Sequence, residues 1–138
     1  MEKKYKVTFL LDKSNLWLEK QLKSYNFKLN NKYTFKISKN PKNIKNQKIV
    51  FPLSYTKILP ESFLKKNDLV LIAHPSKLPK DKGFAPLQYQ ILQNKKKFYI
   101  SLIKAVKEVD AGPIYLQNSF ILNGTELSDE IRNMQGLQ

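Results

Sequence analysis

Residues 68–86 read DLVLIAHPSKLPKDKGFAP and open with the most apolar segment of the chain, residues 69–73. A short apolar run bounded by polar and turn-forming residues is typical of a buried strand in a parallel sheet. The strand would end at His74, and Pro79 and Gly83 indicate a turn-rich loop after it. In open α/β sheets, ligands bind at the carboxyl ends of the strands. The sequence therefore predicts that His74 lies at a ligand-binding edge.

Strand and helix patterns alternate on both sides of this segment, which favours an α/β fold. Leu18, Leu22 and Tyr25 recur at helical spacing after a strand rich in β-branched and aromatic residues. We expect Ser14 and Thr125 to cap the first and last helices. The predicted strands are 5–11, 33–38, 48–54, 68–74, 98–106 and 113–122, and the predicted helices are 15–25, 60–66, 86–94 and a final helix after Thr125.

Length and composition limit the kinds of site that the chain can build. Its 138 residues suit one domain, and it contains no cysteine and a single histidine. We therefore expect neither a disulfide framework nor a metal site. The first apolar run, VTFLL, ends at Asp12 and is too short for a signal peptide or a membrane span. We interpret the protein as cytoplasmic, without a membrane partner.

The chain is strongly basic, with a net charge of +14, and only one of its 25 basic residues, Arg132, is an arginine. Proteins that read nucleic acids usually rely on arginine for bidentate contacts. The scattered lysines fit either a solvated surface or an attractor for an anionic substrate such as a nucleotide-sugar or RNA. Charge alone leaves both open, and the shortage of arginine makes a nucleic-acid partner the weaker expectation.

A possible acid–base pair is formed by His74 and Asp110, which lies 36 residues later in VDAGPIY. Histidine is the side chain whose ordinary titration lies nearest neutral pH, which suits it to carry protons. A lone histidine at a strand end is more often structural, and an aspartate in an Asp-x-Gly loop is usually a turn former. These two residues taken singly leave the choice between chemistry and a structural role open.

Three motifs resemble those of the folate-dependent formyltransferase family, whose members act on glycinamide ribonucleotide, methionyl-tRNA or amino-sugars. HPSKLPKDKGFAP (74–86) is similar to the family's His-x-Ser-x-Leu-Pro-x-x-x-Gly-x-x-Pro segment, and VDAGPIY (109–115) to Val-Asp-x-Gly-x-Ile. YTKIL (55–59) resembles the segment that lines the family's pterin pocket. The resemblance implies one catalytic domain over residues 1–138, short at its C-terminus, with three Rossmann-like layers and a mostly parallel sheet between helices.

The resemblance also implies a reaction and a set of roles. The activity would be transfer of a formyl group from 10-formyltetrahydrofolate to an amine, without a metal. His74 would polarise the formyl oxygen, and Asp110 would favour the charged imidazolium and accept the amine proton through a water. The resemblance assigns cofactor binding to Lys57, Ile58, Leu59, Val109 and Asp110, and substrate binding to Ser76 and Tyr55. Gly83 and Gly112 would permit tight turns that bring the two loops together.

Three stretches look closer to the branch that acts on amino-sugars, LDKSNLW (11–17), LSYTKILP (53–60) and KGFAPLQYQIL (82–92). This likeness implies a small-molecule, nucleotide-linked amino-sugar as acceptor, and a homodimer is left open. Ile72 departs from the family pattern, because an asparagine usually stands two residues before the histidine. This departure and the short chain leave a second hypothesis, a catalytically impaired binding protein with the same fold. A methionyl-tRNA formyltransferase or a basic RNA-binding protein are the further alternatives.

Overall fold

The computed structural model describes residues 4–25 and 31–138, which divide into two compact units, residues up to 72 and residues 73–138. The elements alternate between strand and helix over most of the chain, as the sequence predicts. In order they are β1 (Tyr5–Leu11), α1 (Leu16–Ser24), β2 (Tyr33–Ser38), a 3₁₀ turn (Pro41–Asn43), β3 (Ile49–Leu53), α2 (Glu61–Lys65), β4 (Leu71–His74), α3 (Pro86–Leu92), β5 (Lys97–Lys104), β6 (Ile114–Ile121) and α4 (Ser128–Gly136).

The first unit contains a parallel sheet with strand order β2-β1-β3. Its central strand, β1, is buried continuously from Val7 to Leu11, as expected for a parallel strand with both faces covered. Phe9 stacks against the ring of Phe35 on β2 and that of Phe51 on β3. The aromatic contacts therefore hold all three strands together on one side of the sheet.

The second unit is built on the antiparallel pair β5–β6, with β4 next to β5 in the strand order β4-β5-β6. Phe98 on β5 is paired with Phe120 on β6, and their rings stack at 5.7 Å. These rings and side chains from α3 and α4 form one apolar cluster. Its members are Leu87, Phe98, Phe120 and Leu122, with Ile100, Ile131 and Met134 packed against them.

Both predicted helix caps are wrong. α1 begins after Asn15 rather than Ser14, and no side chain caps it. α4 begins after Leu127 rather than Thr125, and Glu130 stabilises its start by accepting the backbone N–H of Leu127 at 2.7 Å. A serine or threonine near a helix start caps it only when its hydroxyl reaches the first free N–H groups. Sequence position alone does not fix that geometry.

The α/β prediction is confirmed, with parallel pairing among β1, β2 and β3 and antiparallel pairing between β5 and β6. The predicted strand 68–74 is shorter than expected, because β4 covers residues 71–74 and Val70 forms an isolated parallel bridge with Val50. Among the described residues, no helix has the length and apolar character that crossing a membrane requires.

Candidate active site

His74 is the last residue of β4, at the strand end where the sequence places it. Pro75 follows directly, and a proline has no N–H to continue the strand pairing. The imidazole is almost completely buried, with 7% of the side chain exposed. A buried polar ring needs hydrogen-bond partners, so the atoms around it define what it can do.

Both ring nitrogens of His74 face oxygen atoms. Nε2 lies 2.9 Å from the backbone carbonyl oxygen of Asp81, and Nδ1 lies 3.5 Å from Oδ2 of Asp110. A carbonyl oxygen can only accept a hydrogen bond, so Nε2 is protonated and donates a hydrogen bond to the backbone carbonyl of Asp81. The contact at Nδ1 is longer than a usual hydrogen bond, and it sets a carboxylate beside the ring as a charge partner. Both nitrogens of the ring thus meet an oxygen atom, one from a backbone carbonyl and one from a carboxylate.

Asp110 lies in the loop between β5 and β6 with a left-handed backbone, φ 53°. Such a conformation costs a non-glycine residue about 1–3 kcal/mol and persists only where its surroundings hold it. Here Oδ2 accepts the backbone N–H of Gly83 at 2.8 Å, and only 8% of the side chain is exposed. One carboxylate oxygen thus faces both Gly83 and His74, and it joins the loop after β4 to the loop after β5.

The two glycines of these loops serve different purposes. Gly83 has φ +97°, a conformation that favours glycine, at a bend in the loop after β4. A Cβ atom on Gly112 would lie 1.7 Å from the carbonyl oxygen of Lys104. Gly112 is thus required because a side chain would overlap a backbone atom, and the turn expected at this position stays a prediction.

Ser76, expected to contact the substrate, is buried inside the loop that follows His74. Its hydroxyl donates to the backbone carbonyl of Lys80 at 2.8 Å, which closes a turn. Its own backbone carbonyl accepts the hydroxyl of Ser101 at 2.6 Å. The hydroxyl of Ser76 is thus used within the loop, and the substrate contact stays a prediction.

The residues expected to bind the pterin fall in both units. Lys57, Ile58 and Leu59 follow β3 in the first unit, and Val109 precedes Asp110 in the second. Ile58 is 81% exposed and Val109 is 58% exposed. Each therefore presents apolar surface that its own unit does not cover.

Sequence reasoning missed Asp12, which organises the end of the first sheet. Its Oδ2 accepts both the backbone N–H and the hydroxyl of Thr56, at 2.8 and 2.7 Å. Asn15 donates from Nδ2 to the carbonyl of Ser54 at 2.8 Å, so the loops after β1 and β3 are joined twice. Burial, and then the negative charge of Asp12, raises the pKa of the neighbouring Tyr55 above its usual value. The position of Asp12 directly after β1 was the one available signal.

Sequence reasoning also missed the backbone of residues 81–83, which contacts both His74 and Asp110. The groups involved are the carbonyl of Asp81 and the N–H of Gly83, and backbone groups such as these leave no pattern in the sequence.

The described part of the chain contains no group of three histidine, cysteine or acidic side chains arranged to hold a metal ion.

Comparison with known sequences gives a consistent result. The family model described as "Formyl transferase" matches residues 2–134. A methionyl-tRNA formyltransferase of Mycoplasma genitalium is 48% identical over 54 residues, which is 39% of this chain and 17% of that protein. One from Thermotoga neapolitana is 38% identical over 88 residues, 62% of this chain and 28% of that protein. The chain thus spans less than a third of the length of the curated relatives it matches.

Solved structures share the fold at low sequence identity. A methionyl-tRNA formyltransferase from Clostridium thermocellum has a TM-score of 0.69 at 23% identity, covering 85% of this chain and 53% of that one. A 4-N formyltransferase from Francisella tularensis has a TM-score of 0.66 at 14% identity, covering 95% and 64%. HypX from Aquifex aeolicus, solved in complex with tetrahydrofolic acid, has a TM-score of 0.58 at 20% identity, covering 84% and 21%. Since the family model matches nearly the whole chain, the protein belongs to the formyl transferase family.

Proposed function

We propose that this protein transfers a formyl group from 10-formyltetrahydrofolate to an amine. The observation that carries the proposal is the buried contact between His74 and Asp110, 3.5 Å apart, within the segment that matches the family. The complex of HypX with tetrahydrofolic acid supports a folate as donor. We also propose that residues 1–138 form one catalytic domain.

The donor, when bound, supplies a formyl group attached to nitrogen. The amine attacks its carbon, negative charge develops on the formyl oxygen, and the bond to the folate nitrogen breaks. We assign Nδ1 of His74 to donate to that oxygen, because Asp81 already holds Nε2 in place and the longer contact at Nδ1 can yield. Donors aimed at developing charge in a site that excludes water stabilise the transition state strongly.

Asp110 accepts, through a water, the proton that the attacking nitrogen loses, and passes this proton on to the folate nitrogen as that nitrogen leaves. General acid–base help of this kind contributes about 10²–10⁴-fold. Ile72 has no polar side chain, so it supplies no donor to the formyl oxygen, and His74 carries that role. Lys57, Ile58, Leu59 and Val109 stay proposed folate contacts, and the exposed apolar side chains of Ile58 and of Val109 are each suited to contact a flat ring.

For the acceptor, we propose methionyl-tRNA ahead of a nucleotide-linked amino-sugar. The curated relatives named above are methionyl-tRNA formyltransferases. The positive charge is concentrated in residues 1–72, whose 16 lysines and 5 acidic residues give +11, against +3 for residues 73–138. A concentrated positive charge attracts a polyanion. The expectation that a nucleic-acid partner is unlikely is therefore not confirmed.

The amino-sugar is kept as the second candidate, because the motifs after β1 and β3 resemble that branch and the Francisella 4-N formyltransferase shares the fold. The test is an assay of purified protein with 10-formyltetrahydrofolate, using methionyl-tRNA in one arm and a panel of nucleotide amino-sugars in the other. We expect formylated methionyl-tRNA. If only a sugar is formylated, the amino-sugar replaces methionyl-tRNA as the proposed acceptor. If neither arm gives a product and a folate analogue causes no thermal shift, formyl transfer is refuted.

A further inference from the structure

The loop that follows His74 begins at Pro75 and ends at Pro86, the first residue of α3. Two points near its far end contact the acid–base pair, the carbonyl of Asp81 at Nε2 of His74 and the N–H of Gly83 at Asp110. The positions of both catalytic side chains therefore depend on how this loop is held.

The middle of the loop is fixed from one side by a buried polar network. Ser101 on β5 donates to the carbonyl of Ser76 and accepts the N–H of Leu78 at 3.2 Å. Gln117 on β6 donates from Nε2 to the carbonyl of Leu78 at 3.0 Å and to the hydroxyl of Ser101 at 2.9 Å. These contacts do not reach the carbonyl of Pro75, the residue that follows His74.

Gln90, on α3, makes the contact that does reach it. Its side-chain Nε2 donates to the carbonyl of Pro75 and to the carbonyl of Pro86, both at 3.0 Å. A side-chain amide nitrogen has two hydrogens, and here each has an acceptor at one end of the loop. Gln90 is 3% exposed, so no solvent water could replace these bonds without local opening.

We propose that Gln90 is a positioning residue for His74, and the proposal rests on the catalytic role proposed for His74. The amide holds the peptide of Pro75 against the first turn of α3, which closes the base of the loop. The closed loop delivers the carbonyl of Asp81 to Nε2 and so fixes the orientation of the ring.

The consequences can be measured on the ring itself, because His74 is the only histidine of the chain. Its two ring nitrogens can be followed by long-range ¹H–¹⁵N correlation spectra without assignment by mutagenesis. The main variant is Gln90→Met, which keeps the length of the side chain and removes both donors. The matched control is Gln88→Met, on the exposed side of the same helix.

We expect Gln90→Met to shift or broaden the Nε2 signal of His74 and to lower kcat about 10-fold, with KM within about 2-fold, as for a small displacement of a catalytic group. Gln88→Met should match the wild type in both readouts. Gln90→Asn, whose shorter amide cannot span both carbonyls, serves as a second variant and should perturb the ring in the same way.

A wild-type spectrum of His74 in a folded Gln90→Met or Gln90→Asn variant would overturn the proposal. Loss of folding in both variants would also overturn it, because Gln90 would then be a structural residue only. If the wild type forms no product, the proposed function fails, but the spectra still show whether Gln90 positions the ring. The two failures are therefore distinguishable.

Discussion

His74 and Asp110 share an environment with little water, since less than a tenth of either side chain is exposed. In such surroundings a charge that loses its partner is more costly than at the surface. The same oxygen of Asp110 also receives the N–H of Gly83. A change at Asp110 should therefore affect the chemistry and the loop together.

The first prediction concerns Asp110→Asn. The amide keeps the size of the side chain but accepts no proton from the amine, so kcat should fall about 10²–10⁴-fold. Steady-state kinetics with the acceptor that the assay described above identifies measure the effect. Asp129→Asn is the control, because Asp129 lies on the exposed start of α4 and pairs with Arg132. Equal losses in the two variants would contradict a catalytic role for Asp110.

The second prediction concerns the stability of the first unit at low pH. Hydrogen bonds from Lys23 and then Lys39 lower the pKa of Glu19 from 4.5 to about 2. A carboxylate with a lowered pKa stabilises the folded state when it is ionised, so its contribution is complete above pH 4.5 and is lost as the pH falls towards 2. Glu19→Gln should therefore reduce the dependence of unfolding on pH in that window.

Urea denaturation at a series of pH values between 2 and 6 checks this prediction. Glu61→Gln is the control, because Glu61 also pairs with a lysine four residues later on a helix. An unchanged pH dependence in Glu19→Gln would show that the pairs with Lys23 and Lys39 do not persist in solution.

At the scale of elements, the close approach of the loop before β6 to the end of β5 limits substitution at Gly112. The third prediction is that Gly112→Ala destabilises the protein by more than Gly83→Ala. The added methyl group would overlap the carbonyl oxygen of Lys104, and a backbone atom cannot move aside as a flexible side chain can. At Gly83 nothing lies within 4 Å of the new atom, so only the left-handed backbone is penalised, by about 1–3 kcal/mol.

Chemical denaturation of both variants measures the difference. Equal destabilisation would mean that the loop around Gly112 has room to shift. Gly83→Ala should also lower the activity, because the backbone N–H of Gly83 donates to Asp110. The comparison between the two variants uses only their free energies of unfolding.

The elements themselves show how far the sequence pattern reaches. β2, at Tyr33–Ser38, and β1, at Tyr5–Leu11, agree with the predicted bounds because their apolar and aromatic runs are closed by polar residues. The ends of α1 and α4 did not follow from the sequence, since Ser14 and Thr125 are good capping residues placed one or two positions too early. Helix ends depend on backbone geometry at single residues, which periodicity does not resolve.

For the whole molecule, the uneven charge has a measurable consequence. The fourth prediction is that binding of methionyl-tRNA weakens steeply between about 50 and 200 mM salt, because lysines that contact phosphates release counterions. Replacing three exposed lysines of the first unit, Lys36, Lys42 and Lys45, by glutamine should lower the affinity and flatten the salt dependence.

The control replaces three exposed lysines of the second unit, Lys82, Lys104 and Lys107, by glutamine and changes the net charge equally. Filter binding or fluorescence anisotropy gives both affinities and slopes. We expect the larger effect in the first unit, which carries most of the excess charge. Equal effects, or a flat salt response of the wild type, would argue against tRNA as acceptor and favour a small substrate.

The sequence by itself determined the α/β class, the end of β4 at His74 and the family, because apolar runs and spaced motifs are properties of side chains in order along the chain. The sequence also predicted the pairing of His74 with Asp110, which lie 3.5 Å apart. Only the tertiary structure decided the other contacts, the carbonyl of Asp81 at Nε2 of His74 and the amide of Gln90 at the carbonyl of Pro75. Backbone groups look alike in every sequence, and contacts between distant residues depend on distances that exist only after folding.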